Sequence, residues 1–201
     1  MTHYIDHIFY INLDNRTDRR TEFELQIKEY NLDCERFPAV CEPQNGALGC
    51  TKSHLAVLRL AKERNYRRVL IFEDDFMFTV PPDTVQEHLY QLLETPIPFD
   101  VCFLSYNVLA SEETSYSFLR RATDTQTSSG YIIEQHYYDT LITNFESSVH
   151  GFENRLDGNH ALDIEWKRLQ PIDKWYYFTT RLGIQRPGYS DIDRRVVEYG
   201  V

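Results

Sequence analysis

The chain has 201 residues, 42% apolar and 14% aromatic, enough to fill one sizeable core or two small lobes around a cleft. With 21 basic against 31 acidic side chains, the formal charge of -10 excludes a global basic field for nucleic acid or an anionic membrane, so any phosphate must be met locally. No run approaches the roughly 18 apolar residues of a membrane span, and the opening "MTHYIDHIFY" is neither a charged leader nor a long apolar one.

In chain order, "HIFYINL" at 7–13 is β-branched and aromatic and predicts a strand. A loop, "DNRTDRR", precedes a helical stripe of Phe23, Ile27 and Tyr30. "FPAVCEPQNGALG" reads as a connection, and Leu55, Leu58 and Ala61 mark the face of a second helix that ends in a basic turn. A strand at 69–73 follows, then a helix around 84–94 and an apolar strand, "DVCFLSY", at 100–106. The polar stretch "ASEETSYSFLRRATDTQTSSG" has no strong pattern and is expected to include a mobile loop. "YIIEQHYYDTLITNF" resumes order, and the last quarter is aromatic and irregular, as suits a binding surface. Alternating strands and helices predict an α/β fold with parallel pairs, in which ligands bind beyond the carboxyl ends of strands. "NLDN" at 12–15 and "EDD" at 73–75 lie at such ends. Cys34, Cys41, Cys50 and Cys102 lack C-x2-C pairs and read as reduced thiols packed as small hydrophobes.

The run "VLIFEDDF" drives four apolar residues into Glu73, Asp74 and Asp75. Two carboxylates about 5 Å apart repel by roughly 3 kcal/mol at an effective dielectric near 20, so a cation is expected there. On an extended segment Glu73 and Asp75 face one side and Asp74 the other, offering oxygen ligands to magnesium or manganese; a solvated turn is the alternative. Arg16, Arg19 and Arg20 begin the first helix, where cations oppose its dipole, which points to an anion target or to surface pairing with Asp14 or Asp18. "GALGCTKSH" sets Gly46 and Gly49 before a helix with Lys52, Ser53 and His54 in its first turns, without P-loop spacing. "TSSGY" leaves room for a sugar ring at Ser129 and Gly130, or forms a plain turn. His150 and His160 flank a loop, and Asp163, Glu165, Asp173 and Asp191 are late candidates for a general base or a last metal ligand.

Together "FYINLDNRTDRR", "FPAV", "GALGCTKSHLAVL", "LIFEDDF", "SSGYIIEQHYYDTLI" and the tail formed by Gln185, Ser190, Asp191 and Ile192 resemble glycosyltransferase family 25, from about residue 7 to 192 and in motif order. That family includes bacterial lipopolysaccharide sugar transferases and collagen galactosyltransferases. The resemblance implies a GT-A type nucleotide-sugar-binding fold with a central, mostly parallel sheet flanked by helices, a UDP-sugar donor, a glycan or glycoprotein acceptor, transfer with inversion, and a divalent cation, usually manganese but magnesium as well. Its DxD-like motif falls on Glu73, Asp74 and Asp75, with Asp75 the best direct ligand, Glu73 beside it and Asp191 as a further ligand. Asn12, Leu13, Arg16, Arg19 and Arg20 would hold the nucleotide, joined by Lys52, Ser53, His54, Asp74, Ser129 and Gly130. Asp163, beside Trp166, is the expected base, with Glu165 its competitor: Glu165 shares its face if the segment is extended and leaves it if helical. One domain over 1–201 is expected, with a nucleotide and metal half at about 1–125 and an acceptor half at about 126–201, or one domain of a longer polypeptide. The lack of a secretion signal and retention tail favours a bacterial or viral setting and a cytoplasmic location. Two rival readings are a domain that binds nucleotide sugar without turnover and a metal-dependent phosphohydrolase.

Overall fold

The structure is a computed structural model that describes residues 4–192 and 194–200. The elements in order are β1 (His7–Asn12), α1 (Thr17–Glu29), β2 (Glu35–Pro38), α2 (Gly46–Glu63), β3 (Arg68–Glu73), β4 (Phe76–Phe78), α3 (Pro82–Glu94), β5 (Val101–Phe103), β6 (Asn107–Glu113), β7 (Leu119–Gln126), β8 (Gly130–Glu134), α4 (Tyr138–Glu153), the short α5 (Leu162–Glu165), β9 (Trp175–Phe178), β10 (Gly183–Gln185), β11 (Gly188–Ser190) and β12 (Arg195–Val197). Eight strands form one sheet in the order β2-β1-β3-β8-β5-β9-β7-β6. β1, β2, β3, β5, β6 and β9 run one way, so the sheet is mostly parallel in direction. β8 and β7 run against them and make the antiparallel pairings.

The apolar strand runs follow from burial on both faces of this sheet. Phe9, Ile11, Val69 and Ile71 point to one face, where Val57 and Leu58 of α2, Phe145 of α4, Trp166 and Trp175 close a core. The alternate residues Tyr10, Leu70 and Phe72 point to the other, against Phe23 of α1 and Leu89 of α3. With side chains alternating along β3, both registers must be apolar, and half-buried polar residues stand only at its two ends, Arg68 and Glu73.

Two expectations are corrected. The polar stretch without a readable pattern holds most of the β6–β7 hairpin, with irregular chain only between the strands at 114–118 and after β7. Its register shifts around Ala110, and its inward residues on β7 are Leu119, Ala122 and Thr125, a spacing of three that erases period-two alternation. Gly46 and Gly49 do not precede α2 but lie within it: Asn45 caps the helix, its side chain accepting from the Leu48 N–H at 3.1 Å. A Cβ on Gly49 would stand 2.7 Å from the Val40 carbonyl, so this glycine allows the connection to press onto α2.

Phe76, fully buried, is seated between two glycines where the chain turns out of β3. A Cβ on Gly183 would stand 2.1 Å from Phe76 Cζ, and one on Gly130 2.6 Å from its Cε2. Gly183→Ala is predicted to lower stability by about 1–3 kcal/mol through overpacking, whereas Gly188→Ala, with nothing within 4 Å of the added carbon, shifts it by less than about 0.5 kcal/mol. Urea unfolding of the two variants checks this; matching midpoints would contradict it.

Candidate functional site

The carboxyl ends of β1 and β3 lie side by side, and the chain leaves β3 in a turn, Asp74–Asp75, before β4. The turn is tied down by backbone bonds: the Asp74 N–H donates to the Ile11 carbonyl (3.1 Å), the Glu73 N–H to that of Ser129 (2.9 Å), and the Arg186 N–H to that of Asp75 (2.6 Å). Asn12 is buried beneath it, and its Nδ2 donates to Asp74 Oδ2 at 2.7 Å. Arg36 Nε donates to Asn12 Oδ1 at 3.0 Å and fixes the amide.

Arg19 crosses the top. Its Nη1 donates to Asp74 Oδ1 and to Asp75 Oδ2, both at 3.0 Å, and its Nη2 to the Tyr189 carbonyl at 2.7 Å. Gln185 Nε2 also donates to Asp75 Oδ2, at 3.1 Å. Asp74 therefore does not point away from Asp75, as an extended segment would require; the turn brings both onto one guanidinium. Glu73 departs from them, taking a hydrogen bond from the Ser128 hydroxyl, with His54 Nε2 at 3.4 Å.

Two carboxylates thus share one guanidinium, with a third, Glu73, close by, and the balance is incomplete. Asp75 Oδ1 is buried without a hydrogen-bond partner among the described residues. Burial, and then the charge of Glu73, push the Asp75 carboxyl up to about 7. Burial also raises Asp74, against the pull of Arg19. Glu73 is instead held low: burial opposes its charge, and the His54 imidazole and the Ser128 hydroxyl outweigh that opposition. An orphaned buried carboxylate oxygen in an acceptor-rich group is the donor chemistry that fits a hard divalent cation.

Two cavities meet here. One, of about 380 Å³, is lined by Leu13, Arg19, Val40, Asp75 and Asp191 among others. The second, of about 450 Å³, is lined by Asn107, Thr127, Ser128 and Asp163. Cys50, Glu73 and Gln185 line both, so Glu73 stands at the neck. Asp163 Oδ2 accepts from the Thr127 N–H at 3.2 Å, and burial followed by the nearby Glu73 charge raises its carboxyl.

Other expected site residues are placed differently. Arg20 turns outward to Glu24 at 2.8 Å, because adjacent helical residues diverge by about 100°. Lys52 pairs with Glu42 and Glu153 at 2.7 and 3.0 Å and lines neither cavity. Glu165 lies in a helical turn and leaves the face of Asp163, pairing with His160 Nδ1 at 2.8 Å. Ser129 bonds the Ser105 hydroxyl at 2.6 Å and Gly130 lies against Phe76, both behind the cavity walls. Arg16 pairs with Asp18 at 2.9 Å and also with Asp191. Ser53 lines the first cavity, but its hydroxyl donates to the Gly49 carbonyl at 2.7 Å and accepts from the Val40 N–H at 2.8 Å. Ser128 and Cys50 line the site without a sequence signal of their own, Ser128 lying beside the expected Ser129 and Cys50 resembling a buried small hydrophobe, while Gln185 belongs to the tail motif.

No protein-family model matches the chain. A stretch of 101 residues is 30% identical to a glycosyltransferase 25 family member of Anopheles gambiae, taking in 37% of this chain and 17% of that relative. The similarity to a glycosyltransferase 25 family member of Drosophila pseudoobscura pseudoobscura is 31% over 101 residues, 37% of this chain and 16% of that one. The match thus spans about a sixth of the length of these relatives. Among solved structures, a glycosyltransferase involved in the glycosylation of the major capsid of PBCV-1 superposes with a TM-score of 0.47 at 8% identity, over 94% of this chain and 95% of that one.

The raised Asp75 carboxyl makes stability pH-dependent. Below the unfolded value of about 3.8 both states hold the proton and nothing is lost; as pH rises to about 7 the unfolded chain gives it up first, so stability falls through that window. In chelator, Asp75→Asn is therefore predicted to stabilise the chain at about pH 8 by on the order of 1–2 kcal/mol, with the gain gone near about pH 4. Urea unfolding at both values checks this; a gain that is independent of pH would contradict it.

Proposed function

We propose that the chain is a glycosyltransferase of GT-A type that moves a hexose from a UDP-sugar to a hydroxyl of a glycan or glycoprotein. The observation that carries this reading is Asp75: a buried carboxylate oxygen with no partner, beside Glu73, which stands where two cavities join. A donor and an acceptor need two such spaces with the reacting bond between them.

In this reading Leu13 and Val40 wall the nucleotide and Arg19 faces its diphosphate. A divalent cation, manganese or magnesium, would be held by Asp75 with Glu73 and Asp191 and would neutralise charge on the leaving diphosphate. Asp163 takes the proton of the acceptor hydroxyl in the second cavity, as burial raises its carboxyl above the ordinary range and makes it a stronger base. The acceptor oxygen bonds to the anomeric carbon while the bond from that carbon to the UDP oxygen breaks, a single displacement with inversion. Gln185, on the wall of both cavities, is placed to orient the sugar between them.

Calorimetry tests the donor half. UDP and UDP-hexoses are predicted to bind with manganese and not with chelator, GDP-sugars to bind poorly, and Asp75→Asn to lose most of the manganese-dependent affinity; equal binding of GDP-sugars or indifference to chelator would contradict it. Asp163→Asn tests the acceptor half: UDP-sugar affinity stays within about twofold while transfer falls at least about 100-fold. Near-parent transfer by that variant would remove Asp163 from the role.

A further inference from the structure

Cys50 and His54 lie four residues apart on α2 and so share one helix face. The end of β3 brings Glu73 to that face, and the thiol sulfur, an imidazole nitrogen and a carboxylate oxygen lie within 4.8 Å of one another. His54 is fully buried, yet its Nε2 has no hydrogen-bond partner among the described residues. That nitrogen faces Glu73 Oε1 at 3.4 Å. Two ligands each about 2.0–2.1 Å from one tetrahedral cation stand about 3.4 Å apart, so the gap has the dimension of a shared ion.

The surroundings hold these groups in place. Tyr131 Oη engages His54 Nδ1 at 3.0 Å, leaving Nε2 turned toward the gap, and Ser128 donates to Glu73. Such outer partners orient ligands in built metal sites. Because Cys50 and Glu73 also line both cavities, a fourth position stays open to solvent or ligand.

We infer that Cys50, His54 and Glu73 form a site for a borderline-soft divalent cation, zinc or its cobalt surrogate, centred on the Cys50 and His54 side of Glu73 rather than on Asp75. Sulfur and imidazole select zinc or cobalt over manganese and magnesium. Binding releases the Cys50 thiol proton to solvent, and the ion sits at the neck between the two cavities. The site shares Glu73 with the cation proposed at Asp75 but is argued from Cys50 and His54, which that proposal does not use.

The test uses the full chain, freed of metal and titrated with cobalt(II). One equivalent is predicted to bind with a thiolate-to-cobalt charge-transfer band that zinc displaces. The band disappears in Cys50→Ser, affinity falls more than about 100-fold in His54→Gln, and Asp75→Asn keeps the band. Circular dichroism establishes that each variant is folded. A second measurement needs no variant: zinc protects Cys50 from alkylation, mapped by mass spectrometry, while the exposed Cys41 stays reactive. Cobalt binding without the band, a band that survives Cys50→Ser, or alkylation of Cys50 unaffected by zinc would each overturn the inference.

Discussion

Arg19 holds two buried carboxylates with one guanidinium nitrogen, and much of the site is arranged around the charge this leaves over. Removing a carboxylate from water is expensive unless opposite charge or hydrogen bonds replace the solvent. Asn12, Gln185 and Ser128 each supply one such bond, to Asp74, Asp75 and Glu73 respectively. Asp75 Oδ1 receives none. A stable turn after β3 alone would gain from another residue here, so the reason for Asp75 has to be sought in what approaches the cavity. Arg19 reads in the same way: it both neutralises the turn and lines the space where an anion would arrive.

The backbone makes this arrangement rigid. β1 and β3 pair in parallel, so their carboxyl ends open on the same side and bring Asn12 beside Asp74. Phe76, seated against Gly130 and Gly183, sets how far the turn projects, and β10 continues from Gly183 to Gln185, which reaches Asp75. Core packing and site electrostatics therefore share residues. The neck at Glu73 also separates two kinds of cation chemistry: oxygen donors on the Asp75 side, sulfur and nitrogen on the Cys50 side.

Much of this was legible in the sequence for physical reasons. A strand covered on both faces must be apolar at every position, so Val69 to Phe72 stood out, and the abrupt change to Glu73, Asp74 and Asp75 marked a charge needing compensation. What compensates it was not legible, because Arg19 comes from 55 residues away and its direction depends on how α1 sits on the sheet. Lys52 and His54 look alike as neighbours of a site, but only the position of α2 decides that one turns to Glu42 and the other toward Glu73. The β6–β7 hairpin was hidden by its register shift and by Thr125, a polar residue facing inward. Cys50 carried no signal because its third companion lies on another element.

In the proposed reading Asp75 Oδ1 is buried without a partner because it holds a cation against a diphosphate. Anomalous diffraction at the manganese edge, from crystals grown with UDP and manganese, tests it most directly. A single strong peak coordinated by Asp75 Oδ1 and bridged to diphosphate oxygens in the cavity beside Leu13 is expected. A manganese peak away from Asp75, or UDP bound with Asp75 still paired only to Arg19 and Gln185, would contradict it.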